Sequence, residues 1–295
     1  KSRMTMAIVY LNGDYMPASE AKISPMDRGF LFGDGIYEVV PSYNGRFVGL
    51  APHIERLFNG LTAIGITPNF EPRSIREVAQ RLMLENNPDG MTDLAVYIHV
   101  SRGADIKRDH AFPTGLTPTL FAYTFEIPPF DSGQDKIKTY RVNTQMDLRW
   151  HRCNIKSTAL LGNVLHFQKG KAAGFDETLL FNQQDELTEA AACNVFIVKN
   201  GRISTPSLDS QKLPGITRLL LIRILKDYGK IVIEEGVITR QQVMAADEVW
   251  LTSSTKGVAP VVIIDAHQVG NGQPGPFCIK ARALFDQHKF EYNNG

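Results

Sequence analysis

The sequence predicts a mixed protein, α+β or α/β, built as two domains, and three observations predict it. Strand-like alternation and helix-like periodicity interleave along the whole chain. At 295 residues the chain is longer than one ordinary domain, and 43% hydrophobic content is enough to bury a sizeable core. One stretch, Ile127-Pro128-Pro129-Phe130-Asp131-Ser132-Gly133-Gln134-Asp135, stops both kinds of pattern, which restart beyond it. A smaller N-terminal α/β domain is therefore expected over 1–130, a linker over 131–136 and a larger C-terminal domain over 137–295.

In the first domain, residues 7–14 read as a strand closed by an Asn12-Gly13 hairpin turn. The glycine-rich stretch 27–35 reads as a loop and 36–40 as a strand, followed by a turn at Asn44-Gly45. Its Gly33-x-Gly35 is no dinucleotide fingerprint, because the third glycine is missing and a strand follows where a helix belongs. Ile54, Leu57, Phe58 and Leu61 are spaced as the buried face of one helix. Ile75, Val78, Ala79 and Leu82 give the same spacing in a second helix over 73–86. Leu94, Val96, Ile98 and Val100 alternate as a strand that leads into a polar loop over 103–113, and 120–127 is another strand.

The second domain opens with an extended segment over 137–147 and a helix over 157–173. Strands follow at 177–181, 186–190 and 194–199, the last closed by an Asn200-Gly201 turn. Leu213-Pro214-Gly215-Ile216-Thr217-Arg218 starts a helix that runs over 219–228. Thr239 is placed to cap a short helix reaching Ala246. Strands at 248–253 and 258–265 and a final helix over 277–290 complete the chain.

Charge excludes some partners. Lys and Arg total 32 against 31 Asp and Glu, so no basic field draws nucleic acid or an anionic membrane. Cys153, Cys193 and Cys278 are far apart, with no C-x-x-C pair, which argues against zinc and a disulfide framework and suits a reducing cytosol. No apolar run approaches a membrane span and no signal peptide is visible, so a cytoplasmic protein is expected.

The groups able to carry chemistry centre on Arg149-Trp150-His151-Arg152-Cys153-Asn154-Ile155-Lys156-Ser157. Lys156 falls at a strand-to-helix junction, where a side chain tends to face a cleft, and Ile155 and Ala159-Leu160-Leu161 would give its stem an apolar sleeve. A partly desolvated amine there is a nucleophile and a base near neutrality. Gly215-Ile216-Thr217 lies at a helix start, where free N–H groups favour an anion. Ser253-Ser254-Thr255 offers hydroxyls at a strand end, and Arg56 adds a guanidinium fork suited to phosphate. Taken together they point to one phosphate held from both domains; no G-x-x-x-x-G-K-[ST] loop occurs. Glu189, flanked by small and apolar residues, can sit beneath a heteroaromatic nitrogen and keep it protonated. A lysine nucleophile, a phosphate cup and such a carboxylate are what pyridoxal 5′-phosphate requires.

These residues reach a known family. Arg149-Trp150-x-Arg152-Cys153-x-Ile155-Lys156-Ser157 closely resembles the lysine motif of bacterial D-amino-acid aminotransferases. These are fold-type IV pyridoxal-phosphate enzymes related to branched-chain aminotransferases and aminodeoxychorismate lyases. The resemblance runs from Asp27-Arg28-Gly29 through Val258-Ala259-Pro260-Val261, with several motifs in order. It implies a two-domain fold-type IV enzyme whose C-terminal domain carries the cofactor on Lys156. In that reading Lys156 is also the catalytic base, and Glu189 pairs with the ring nitrogen. Arg56, Ile216, Thr217, Ser253 and Ser254 bind the phosphate, while Arg149 and Glu177 orient these groups from behind.

Tyr37, in Gly35-Ile36-Tyr37-Glu38-Val39, matches the D-specific pattern, whereas branched-chain enzymes carry Phe-Glu-Gly there. Arg108 and His110 match an Arg-x-His loop that, with the tyrosine, captures the substrate carboxylate, reaching in from the neighbouring subunit of a homodimer. The implied reaction is ping-pong transfer of an amino group from a D-amino acid such as D-alanine to 2-oxoglutarate or pyruvate. The alternatives within the fold are a branched-chain L-amino-acid or (R)-amine transaminase and an aminodeoxychorismate lyase. The chain departs from the pattern at Ala190-Ala191-Ala192-Cys193, where the family has glycine and serines, and at Pro41, where it has lysine. Lys107 also adds a charge beside Arg108.

Overall fold

A computed structural model describes residues 7–129 and 137–293, and its contacts divide the chain into two units. The linker expected over 131–136 lies outside the described residues. The first unit holds the N-terminal part of the chain together with Ile155–Leu160 and the residues from Tyr292 onward; the second holds the rest. The segment containing Lys156 thus packs with the first unit, whereas the sequence reading counts it in the C-terminal domain.

The first unit contains β1 (Ile8–Leu11), β2 (Asp14–Pro17), α1 (Arg28–Phe32), β3 (Gly35–Tyr43), β4 (Arg46–Phe47), α2 (Leu50–Ala63), α3 (Pro72–Asn86), β5 (Leu94–Ser101) and β6 (Thr119–Glu126). Its strands form one antiparallel sheet in the order β2-β1-β6-β5-β3-β4. The alternation expected for β5 holds: Leu94, Val96, Ile98 and Val100 enter the core, joined by Ile36 and Val40 from β3. That face is covered by Ile54, Leu57 and Leu61 of α2 and by Ile75, Val78, Ala79 and Leu82 of α3. Burying each such leucine contributes about 2 kcal/mol. The opposite face carries aromatic rings, Tyr37 stacking on Tyr97 at a centroid distance of 5.7 Å and Tyr97 tilted against Tyr123 at 5.1 Å.

One helix was not expected. Residues 28–32, inside the predicted glycine loop, form the single turn α1. Asp27 caps it by accepting the Gly29 N–H at 2.8 Å, and Gly33 ends it in the left-handed conformation at φ 65°, which a residue with a Cβ adopts only under strain.

The second unit contains β7 (Tyr140–Met146), α4 (Leu161–Ala172), β8 (Glu177–Phe181), β9 (Leu187–Ala190), β10 (Asn194–Lys199), β11 (Arg202–Pro206), α5 (Ile216–Asp227), β12 (Glu234–Gly236), α6 (Arg240–Met244), β13 (Glu248–Ser253), β14 (Gly257–Ile264), β15 (His267–Gln268) and α7 (Pro276–His288). The sheet runs β12-β11-β10-β13-β14-β7-β8-β9, with β15 added on β14. It is mixed: β11/β12, β14/β7 and β7/β8 are parallel. Strands β8, β9 and β13 are buried nearly throughout, with no alternation of buried and exposed positions. Thr239 caps α6 in a reciprocal capping box with Gln242, as its position predicts.

The helix expected over 157–173 begins only at Leu161. Residues 157–160 stay out of the helix: Ser157 bridges to Ile36, the Thr158 N–H donates to the Gly35 carbonyl, and the Ser157 hydroxyl accepts the Ala159 N–H at 3.0 Å. Nor is the apolar run of α4 a core face: Leu161, Val164 and Leu165 are 70, 55 and 61% exposed, while His166 and Gly170 are buried.

Candidate active site

In the first unit, the Lys156 segment lies antiparallel against the start of β3. The Tyr37 N–H donates to the Lys156 carbonyl at 3.1 Å, and the Thr158 N–H donates to the Gly35 carbonyl at 3.0 Å. Ile155 is buried in the core beneath. These contacts set Lys156 Nζ 4.1 Å from the centroid of the Tyr37 ring, a cation–π distance. The amine thus rests on an aromatic face, while Ala159 and Leu161, expected to sheathe the stem, are exposed.

Arg56 of α2 is held by a carboxylate that the sequence reading passed over. Its Nε and Nη2 donate to the two oxygens of Glu38 at 2.6 and 2.8 Å, a bidentate fork. His53, one turn earlier on α2, lies 2.7 Å from Glu38 through Nδ1. Glu38 is fully buried. Burial alone would raise its carboxyl, but the Arg56 guanidinium and the His53 ring outweigh that and hold it at about 2. Burial lowers His53, so its ring is neutral near pH 7 and donates Nδ1–H to the carboxylate. A signal for this trio was available: Glu38 stands between Ile36 and Val40 on the core-facing side of β3, where a charge requires a partner.

Arg108 and His110 both lie exposed on the loop after β5. The guanidinium of Arg108 sits 4.8 Å from the Phe32 ring, and the His110 ring centroid is 5.4 Å from the same ring. The loop's backbone is gripped by buried Arg28, whose Nη1 donates to the Asp109 carbonyl and Nη2 to the His110 carbonyl, the latter at 3.3 Å. The sequence reading singled out neither Arg28 nor Phe32.

In the second unit, the Arg149 guanidinium is enclosed between two acids. Nη1 donates to Glu189 Oε1 at 2.5 Å, and Nε and Nη2 donate to the two oxygens of Asp147 at 3.0 and 2.8 Å. Asp147 is fixed in turn by the Thr188 hydroxyl at 2.7 Å. The other oxygen of Glu189 accepts the Leu213 N–H at 2.9 Å and the Asn194 amide at 3.3 Å. Complete burial pushes the Glu189 carboxyl upward, and the Arg149 guanidinium opposes it; the net direction is upward. Retaining charge on Glu189 therefore depends on Arg149. Glu177 does not join this set: it accepts its neighbour's Thr178 N–H at 2.9 Å and the Cys193 thiol at 3.4 Å.

Ile216 and Thr217 open α5, behind an extended Gly215 that gives no side-chain cap. The glycine is a steric requirement, because a Cβ there would meet Asn194 Oδ1 at 2.0 Å. Ser253 ends β13 and accepts the Lys256 N–H at 3.2 Å, and Ser254 follows in the turn. The structure thus joins Lys156 to Tyr37, Arg56 to Glu38 and Arg149 to Glu189, and leaves Glu177 with Cys193.

The family model described as amino-transferase class IV matches residues 35–264. D-alanine aminotransferase of Bacillus licheniformis is 37% identical over 270 residues, spanning 91% of this chain and 92% of that protein. D-alanine aminotransferase of Staphylococcus aureus (strain COL) is 34% identical over 286 residues, spanning 96 and 98%. Among solved structures, the branched-chain amino acid aminotransferase of Thermobaculum terrenum, in its PLP form, superposes with a TM-score of 0.85 over 98% of this chain and 95% of that one. At 20% identity that likeness speaks for the fold alone. The fold is that of the fold-type IV aminotransferases, and this chain is an aminotransferase belonging to class IV.

Proposed function

We propose that this aminotransferase uses pyridoxal 5′-phosphate to move the amino group of a D-amino acid, D-alanine foremost, to a 2-oxo acid in a ping-pong cycle. The observation that carries the donor class is 37% identity to a D-alanine aminotransferase along nine-tenths of the chain. The donor set fits the cofactor. At the end of β13, beside Ser253 and Ser254, the buried Thr252 hydroxyl has no hydrogen-bond partner among the described residues, and α5 starts without a side-chain cap.

When bound, pyridoxal phosphate supplies an electron sink for the negative charge left at the donor Cα. The protein's residues do the rest. Lys156 Nζ would hold the cofactor and, once freed by the donor, its amine would take the proton from Cα and deliver it to C4′. Glu189, steadied by Arg149, would accept a hydrogen bond from the ring N–H, and Glu177, through its bonds to the Thr178 N–H and the Cys193 thiol, would brace the strands behind. Arg56, the Ile216 and Thr217 N–H groups, the Thr217 hydroxyl, Ser253 and Ser254 bind the phosphate; Glu38 fixes the plane of the Arg56 fork. Tyr37, with Arg108 and His110, receives the substrate carboxylate.

A homodimer completes this reading, with Arg108 and His110 acting on substrate held by the neighbouring subunit. The exposed Leu161, Val164 and Leu165 of α4 support association, since a row of apolar side chains on one helix is costly to leave in water. A cytoplasmic setting fits three buried free cysteines and the finding that no described helix is long and apolar enough to cross a membrane. Turnover is tested with D-alanine, L-leucine and (R)-1-phenylethylamine, each with 2-oxoglutarate or pyruvate. D-alanine is expected to be the best donor; turnover of L-leucine alone contradicts the proposal.

A further inference from the structure

The loop carrying Arg108 and His110 is exposed at every residue from Ile106 to Phe112, yet the groups that hold it are specific. Arg28, 3% exposed, and Arg102, 6% exposed, share the single carboxylate of Asp34. Arg28 Nε donates to Oδ2 at 2.9 Å, and Arg102 Nε and Nη2 donate to Oδ2 and Oδ1 at 2.7 and 3.0 Å. Two guanidinium groups thus share one carboxylate, and both arginines direct their other N–H groups at backbone carbonyls. Arg102 donates to the Ile64 and Gly65 carbonyls just past α2, at 2.7 and 2.9 Å, where the helix end is electronegative. Arg28 donates to the Asp109 and His110 carbonyls.

The side chains of the loop are held by the same one-turn helix. Phe32, four residues after Arg28 in α1, has the Arg28 guanidinium 4.7 Å from its ring centroid. The rings and charges of Arg108 and His110 rest against this same Phe32. Arg28 therefore fixes where the loop backbone runs, and Phe32 fixes where its two functional side chains lie. The single turn of α1, capped by Asp27 and ended by Gly33, puts positions 28 and 32 on one side.

We propose that Arg28 and Phe32 are positioning residues for Arg108 and His110, and through them set the enzyme's affinity for donors that bear a carboxylate. This rests on the reading of Arg108 and His110 as the carboxylate trap. Neither Arg28 nor Phe32 touches substrate in this account, so each acts on KM rather than on the chemical step.

The test compares Arg28→Gln, Phe32→Leu and Arg108→Ala holoenzymes with the parent, using whichever alanine enantiomer is turned over faster. Trypsin cleavage after Lys107 and Arg108 reads the loop directly and does not depend on activity. In Arg28→Gln and Phe32→Leu, cleavage after Lys107 is expected to quicken and KM to rise, each by about tenfold, with kcat within about twofold. Phe32→Leu leaves the buried charges intact, so it answers the question even where Arg28→Gln fails to fold. Unchanged cleavage and KM in Phe32→Leu, with KM raised in Arg108→Ala, overturns the positioning role. Faster cleavage with KM unchanged in all three variants overturns the carboxylate reading of the loop instead, and the affinity claim with it.

Discussion

Replacing Glu38 by glutamine tests how the first unit holds Arg56. The carboxylate is fully buried, accepts two N–H groups from Arg56, and faces His53 at 2.7 Å. A carboxyl moved from 4.5 in the unfolded chain to about 2 in the folded one prefers its ionised form by a factor worth on the order of 3 kcal/mol. Because the folded value is depressed, that stability is present above the unfolded value of 4.5 and is lost as the pH falls through about 2. Glutamine keeps the shape and removes the charge, leaving a largely enclosed guanidinium without its counter-ion. The expected cost at pH 7 is about 3–5 kcal/mol. Urea unfolding followed by far-UV circular dichroism, run for both proteins from pH 7 to pH 2, measures it. The gap in stability between parent and Glu38→Gln should be widest at neutral pH and close steadily below about pH 4.5. A variant as stable as the parent at pH 7, or a gap of constant size down to pH 2, refutes the reasoning.

Two further outcomes follow from the second unit. Gly215→Ala places a Cβ 2.0 Å from Asn194 Oδ1, displacing the amide that supports Glu189 and Leu213, so it should cost about 1–3 kcal/mol and let cofactor absorbance fall on dialysis; an unchanged melting temperature and spectrum contradict this. Leu165→Glu, at a position 61% exposed in the single chain, should leave circular dichroism unchanged and halve the mass seen by light scattering; an unchanged mass contradicts the role given to α4.

What the sequence made legible was local. Leu94, Val96, Ile98 and Val100 alternate because one face of β5 packs on helices, and Thr239 with Gln242 announces a capped helix. Family, fold and the Lys156 motif were readable for the same reason: each is a run of neighbouring residues. What the sequence hid was pairing across distance. Ser157 bridges Ile36 across more than a hundred residues of sequence, and this bridge keeps 157–160 out of the helix and carries Lys156 into the first unit. The apolar run Leu161, Val164 and Leu165 has helical period whether it faces a core or water, so periodicity alone could not say which. Asp147, Glu38 and Asp34 were overlooked because an acid in the sequence does not reveal which distant arginine will neutralise it. Glu177 was grouped with Arg149 by resemblance; the hydrogen bonds it makes, to the Thr178 N–H and the Cys193 thiol, were not legible in the sequence.

One amine, Lys156 Nζ, is proposed to carry the cofactor. The purified protein is supplied with pyridoxal 5′-phosphate, reduced with borohydride, digested and mapped by mass spectrometry, alongside Lys156→Ala. A single phosphopyridoxyl group is expected on Lys156, and Lys156→Ala is expected to keep native circular dichroism, take up no label and catalyse no transfer. A protein that stays colourless, or a label fixed to a different lysine with Lys156→Ala still active, contradicts it.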